Sequence, residues 1–343
     1  MRYNEEPMDL EMLIGAKLAV GFRGLKATPA LITQLRATRA QSLVVFSRNF
    51  ASPAQFRALI QGLEDGVGWR LLVMVDHEGG RVIRFSDGVT RFPDAMTVGR
   101  TQAPDQVESQ GAVEADELAR LGVGVNLAPC VDVVVEGSDP IIGDRSYGSD
   151  PAIVAACAVA RIRGLQSHGV AACAKHFPGL GAVPKDPHAV LPTIGLNWDA
   201  MEHTHLPPFR AAIEADVAMV MSSHVCYPGL GEPLELPATF SPALIRGLLR
   251  KRMGFQGLIL TDDMEMGALR ALGTMGEAAV RATEAGHDIL LICSDLDAAR
   301  EAGEALREAY RSGRLNPAEL EESASRVAKT REKLFPKLLP EEA

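Results

Sequence analysis

Aromatic side chains are scarce in this chain, at 5% of 343 residues, and only two of them are tryptophan. That leaves no extended stacking platform for a long polymer. An excess of positive charge is also missing: the formal net charge is −9. A general nucleic-acid binder needs clustered Lys and Arg for phosphate contacts, so no nucleic-acid partner is expected. No apolar run approaches the length that spans a bilayer, and no membrane partner is expected. The acidic start MRYNEEPMDLEML lacks the basic, apolar, small-residue order of a secretory signal, which predicts a cytoplasmic protein. Cysteine is sparse and unpaired in pattern. Cys130, Cys157, Cys173, Cys226 and Cys293 are odd in number, scattered and set among apolar residues, so they read as buried thiols and not as disulfides or metal ligands.

The 47% apolar content is enough to build a sizeable core. Eight short apolar runs recur at 13–22, 43–46, 71–75, 123–127, 170–174, 218–221, 258–260 and 288–293. Short continuous runs fit strands buried on both faces of a parallel sheet. Stretches of helical period lie between them, among them 106–121 and 242–251. Strand and helix alternate along the whole chain without a linker or a break in composition. The pattern predicts one α/β domain over 1–343, a (β/α)8 TIM-type barrel, with a doubly wound open sheet as the alternative. The segment 317–343 reads as a helix broken at Pro336 and Pro340.

Polar residues follow the apolar runs: Arg48-Asn49, Asp76-His77-Glu78, Asp132, Lys175-His176, Ser223-His224, Asp262-Asp263 and Ser294-Asp295. In a barrel they converge on the C-terminal mouth, where active sites of this fold lie. The densest stretch is KHFPGLGAVPKDPHAVLP at 175–192, which joins a buried run to a Gly- and Pro-rich loop. Gly79-Gly80 lacks the GxGxxG spacing of a dinucleotide site and reads as a tight turn that returns Arg84 to the mouth.

Taken in order, VVFSRNF (44–50), VDHEGGRVIR (75–84), IIGDRSYG (141–148), AKHFPGLG (174–181), DPH (186–188), SSHVCYP (222–228), PATFS (237–241), MGFQGLILTDDMEMGA (253–268) and AGHDILLIC (285–293) resemble the family 3 glycoside hydrolases. Among these the likeness is to the single-domain bacterial β-N-acetylhexosaminidases of cell-wall recycling, and it runs from about residue 10 to 331. A retaining glycosidase needs a carboxylate nucleophile on one face of the sugar and a proton donor on the other. The resemblance implies Asp262 as nucleophile, with Asp263 as its neighbour's support. It implies His188 as acid/base, oriented by Asp186, because no residues remain to build a second domain that would donate a carboxylate. Imidazole titrates near neutrality, which suits the task. Asp76, Arg84, Arg145, Lys175 and His176 would bind the sugar, with an ion pair to Asp144 or Asp150 as the other reading of Arg145. Two positions depart from the family pattern: Pro187 for the common Ser, and Leu180 for a frequent His.

The implied protein is a monomeric β-N-acetylglucosaminidase acting on small GlcNAc-containing muropeptides, with no metal and no organic cofactor. The alternatives are a phosphorylase or β-glucosidase of the same family and a Schiff-base aldolase using Lys175. A non-catalytic sugar-binding protein is the remaining one.

Overall fold

The computed structural model describes residues 9–184 and 191–338. Strands β1 (Leu18–Val20), β2 (Ser42–Val45), β3 (Leu72–Val75), β4 (Val125–Asn126), β5 (Ala171–Phe177), β6 (Met219–Ser222), β7 (Leu258–Asp263) and β8 (Ile289–Ile292) follow one another in space. They close into a parallel barrel, with β1 pairing both β2 and β8. Each expected apolar run supplies one strand, and nearly every strand residue is buried on both faces. Helices such as Pro104–Arg120 and Ala243–Arg252 occupy the expected intervening stretches. The first run departs from expectation: Leu10–Ala16 is a helix, and only 18–20 is strand. Asp9 caps that helix through the Glu11 N–H, and its buried Leu13, Ile14 and Ala16 satisfy a helical face as readily as a strand. The helix that starts at Pro317 also runs to Leu338, two residues past Pro336. Closure between β1 and β8 depends on Gly21, where an added Cβ would sit 1.9 Å from the Cys293 carbonyl oxygen.

The register slips by one residue in two strand pairs. Between β5 and β6 the slip falls at His176, and between β7 and β8 it falls at Thr261–Asp262. A plain strand sends successive side chains to opposite faces; an irregularity re-aims them. Both slips therefore fall where the sequence places chemistry.

All five cysteines are free and buried. Among the described residues no helix is long and apolar enough to cross a membrane.

Candidate active site

Consider first the end of β7. Thr261 Oγ1 accepts from Leu291 N at 3.0 Å, and Asp263 Oδ1 accepts from Cys293 N at 3.2 Å and from Glu265 N at 3.1 Å. These two side chains fill the ladder positions that the slip leaves open. Asp262 lies between them, and its Oδ1 accepts from Asp263 N at 2.8 Å, its one backbone bond among the described residues. The two carboxyls are pushed apart in acidity. Burial would raise Asp262, but the nearby His176 and His224, the Asp263 N–H and Lys175 outweigh it and hold the group below the usual carboxylate range. Burial lifts Asp263 to about 6, helped by the charges of Glu265 and Asp262. A separation of this kind divides roles between neighbouring carboxylates. Asp262 is the more acidic of the two and has no second hydrogen-bond partner among the described residues, whereas Asp263 is tied to backbone.

Across the mouth, β3 and β5 carry a charge cluster. Lys175 Nζ reaches Asp76 Oδ1 at 2.6 Å and Glu78 Oε1 at 2.7 Å. Arg145 grips Glu78 with two bonds of 2.8 Å, from Nε and Nη2. Arg84 Nη2 stands 3.8 Å from Asp76 Oδ2. The structure thus brings together Asp76, Arg84, Arg145 and Lys175, and it adds Glu78, which sequence reasoning left outside the site. Arg145 pairs with neither Asp144 nor Asp150; Asp144 is held by Arg81 at 2.7 Å. Lys175 cannot act as an amine nucleophile. Burial would lower its pKa, but Asp76 and Glu78 drive it far upward and keep it protonated, which removes the aldolase reading.

The return of Arg84 is built as the sequence suggested. Gly79 and Gly80 both have positive φ, 99° and 53°, and added Cβ atoms would lie 2.7 Å from the Pro93 carbonyl oxygen and 2.6 Å from Asp94 Cβ. Arg84 N then donates to His77 Nδ1 at 3.2 Å. Burial, with Arg161 and Arg84 nearby, lowers His77 to about 4, so it accepts as a neutral ring. Asn126 locks this turn by exchanging bonds of 3.1 and 2.8 Å with the His77 backbone.

His176 is buried, and its Nδ1 lies 2.7 Å from Asp132 Oδ2. Asp132 does not end a strand as expected: β4 stops at Asn126, and residues 130–131 then run beside Lys175. Cys130, Asp132 and His176 have the spacing of a metal-binding group. Cys130 Sγ and His176 Nδ1 both bond to Asp132 Oδ2, so internal hydrogen bonds account for the cluster. His224 is buried behind β7, with Nδ1 2.6 Å from Thr239 Oγ1 and Nε2 3.0 Å from the Asp263 carbonyl. Arg48 and Asn49 donate to the Phe22 carbonyl at 3.0 and 3.1 Å and brace the mouth, as their sequence setting implied.

Asp186, Pro187 and His188 lie outside the described residues. Both flanks of their segment are tethered at the mouth. On one side Asp139 N donates to the Val183 carbonyl at 2.8 Å, and on the other Cys226 N donates to the Pro192 carbonyl at 3.0 Å. Leu180 is buried, and its N–H bonds Asp132 Oδ1 at 2.6 Å. A cleft of about 860 Å³ is lined by Phe22, Arg23, Asp263, Glu265, Met266 and Arg270 among others. It reaches the site at Asp263 and leaves out the Asp76–Lys175 group.

The sequence profile of the glycosyl hydrolase family 3 N terminal domain matches residues 14–330. A beta-hexosaminidase of Nitrosomonas eutropha is 38% identical over 290 residues, covering 83% of this chain and 82% of its own. Among solved structures, a glycoside hydrolase family 3 beta-N-acetylglucosaminidase from Paenibacillus sp. superposes with a TM-score of 0.91 at 35% identity. That match covers 96% of this chain, which spans 63% of the Paenibacillus protein. NagZ from Neisseria gonorrhoeae, solved in complex with N-trifluoroacetyl-D-glucosamine, matches at 30% identity and a TM-score of 0.76, covering 92% of this chain and 97% of its own.

Proposed function

This chain belongs to glycosyl hydrolase family 3, and we propose that it is an exo-acting, retaining β-N-acetylglucosaminidase. The observation that carries the reading is the buried network of Asp76, Lys175, Glu78 and Arg145, together with Asp262 at the irregular end of β7. Asp262 Oδ1 sits on the Asp263 N–H, and against burial its pKa is held below the usual carboxylate range by His176, His224 and Lys175. Asp76 and the cations around it would bind the hydroxyls of one terminal sugar, because charged partners make the stronger hydrogen bonds. Asp262 attacks the anomeric carbon and forms a glycosyl ester as the aglycone oxygen leaves. His188, oriented by Asp186, gives that oxygen its proton. The same imidazole then takes a proton from water, whose oxygen displaces Asp262 and frees the sugar. The substrate we infer is a small muropeptide fragment of peptidoglycan turnover, met in the cytoplasm as a single-domain monomer. The low aromatic content suits a pocket for one sugar better than a long groove.

Initial rates on chromogenic β-N-acetylglucosaminide and β-glucoside test this side by side. The N-acetyl sugar is expected to be cleaved at least about 100-fold faster in kcat/KM, the discrimination reached when a site hydrogen-bonds a polar group that the competing substrate lacks. In phosphate buffer the product should be free N-acetylglucosamine. Equal rates would support a glucosidase, and a sugar 1-phosphate would identify a phosphorylase.

His188→Ala carries its own signature. Cleavage of an unactivated disaccharide should fall on the order of 100-fold, the scale of general acid catalysis. A nitrophenyl glycoside, whose leaving group needs no proton, should suffer far less in its first step. Equal losses on both substrates would remove His188 from the acid role.

A further inference from the structure

We propose that Asp132 is a positioning residue that sets two parts of the site with one carboxylate: the ring of His176 and the base of the loop that carries Asp186 and His188. Asp132 has no solvent exposure. Its Oδ2 accepts from His176 Nδ1 at 2.7 Å, from His176 N at 3.2 Å and from Cys130 Sγ at 3.2 Å. Its Oδ1 accepts from Leu180 N at 2.6 Å. No Lys or Arg takes part in these bonds.

The donor count fixes the ring. An ionised carboxylate only accepts, and backbone N–H groups only donate. His176 Nδ1 must therefore carry its hydrogen toward Asp132, which leaves Nε2 as the ring atom available to the sugar. A partner of this kind sets both tautomer and orientation of an imidazole. The second oxygen acts elsewhere. After β5, Gly179 N bonds the His176 carbonyl at 2.8 Å and Tyr227 Oη bonds the Gly179 carbonyl at 2.9 Å; the Leu180 N–H tie to Asp132 follows, then Val183 N bonds the Leu180 carbonyl at 3.0 Å and Val135 N the Gly181 carbonyl at 3.1 Å. Displacing Leu180 would move the root from which residues 185–190 depart. Residue 180 thus makes its polar contact through its backbone N–H, while its apolar side chain is buried.

The two oxygens can be separated by substitution. An Asn at 132 keeps one acceptor, and three donors on the Oδ2 side outvote one on the Oδ1 side. In Asp132→Asn the amide NH2 therefore faces Leu180 N–H, two donors confront each other, and the loop base is released while the His176 contact survives. In Asp132→Ala both contacts are lost.

This inference rests on the functional reading above for its kinetic arm. With the chromogenic N-acetylglucosaminide, Asp132→Asn should lower kcat about 10-fold or more, the scale reported by outer partners of a functional imidazole, and leave KM within about 3-fold. Asp132→Ala should in addition raise KM about 10-fold, and His176→Ala added to it should raise KM no further, because the two act as one unit. An unchanged kcat in Asp132→Asn, or KM costs that multiply in the double variant, would overturn the proposal. Should the Ala variant not fold, nitrogen-15 NMR of the imidazoles in the unsubstituted full chain decides the ring. A His176 protonated at Nδ1 at neutral pH supports the proposal, and one bearing hydrogen only at Nε2 refutes it. That spectrum does not depend on turnover, so a chain inactive on the sugar would sink the functional reading and leave the Asp132 test standing.

Discussion

Asp262→Ala should cut kcat on the chromogenic N-acetylglucosaminide on the order of 10⁴- to 10⁶-fold, the range seen when a covalent nucleophile is removed. The physical reason lies in how β7 ends. Thr261 and Asp263 spend their side chains on the β8 ladder, so neither can replace the lost carboxylate. Asp263 is also lifted to about 6 and bonded to two backbone N–H groups, which makes it a poor substitute. The fold should survive, since among the described residues Asp262 bonds just its own neighbour's N–H. Binding of free N-acetylglucosamine should persist, because Asp76, Lys175 and Arg145 are untouched. Azide, a small anion able to enter the vacated space, should restore turnover and yield an α-glycosyl azide. A variant with near-normal rate would remove Asp262 from the chemistry.

Glu78→Gln should cost about 3–5 kcal/mol of stability, the usual penalty for breaking a buried pair, and should weaken sugar binding as well. Glu78 is 6% exposed and Lys175 2%; Gln keeps one acceptor oxygen but turns the other into an NH2 donor, so one of the contacts to Arg145 or Lys175 becomes donor against donor and the negative charge that offsets the two cations is gone. Burial would raise the Glu78 pKa, but Arg145 and Lys175 hold it well below the ordinary 4.5. A depressed carboxylate contributes stability that is fully present above its unfolded pKa and is lost as pH falls toward the folded one. Lys175 is the mirror case. Its pKa lies above the ordinary 10.5, so its contribution is full below that value and fades only as pH rises through the folded pKa. Urea unfolding should therefore show a gap between wild type and Glu78→Gln that is constant near neutrality and narrows below about pH 4.5. A gap of less than about 1 kcal/mol at pH 7, the range of a surface pair, would refute the buried-network account.

The barrel was legible because buried parallel strands leave short apolar runs, and each of the eight runs supplied a strand. Residues 13–16 misled for the same reason: Leu13, Ile14 and Ala16 bury equally well as one face of a short helix. Asp76 and Lys175 could be named from strand ends, yet Glu78, the second carboxylate on Lys175, could not be assigned. Its role depends on Arg145 arriving from a distant loop, and no local pattern records that meeting. Asp132 was visible as a polar residue after an apolar run. Its true place, alongside β5, follows from backbone pairing of 130–131 with Lys175. The register slips at His176 and Asp262 were likewise silent in the sequence. The choice of Asp262 over Asp263 rested on family likeness there, and the ladder contacts now supply a physical ground for it.

The most direct test of the central claim is to trap the glycosyl-enzyme with a 5-fluoro N-acetylglucosaminyl fluoride and locate the adduct by peptide mass spectrometry. The account predicts one sugar per chain, esterified to Asp262 in the peptide carrying LILTDDM, with release on prolonged incubation. An adduct on another residue, or full turnover of substrate with no adduct ever forming, would contradict it.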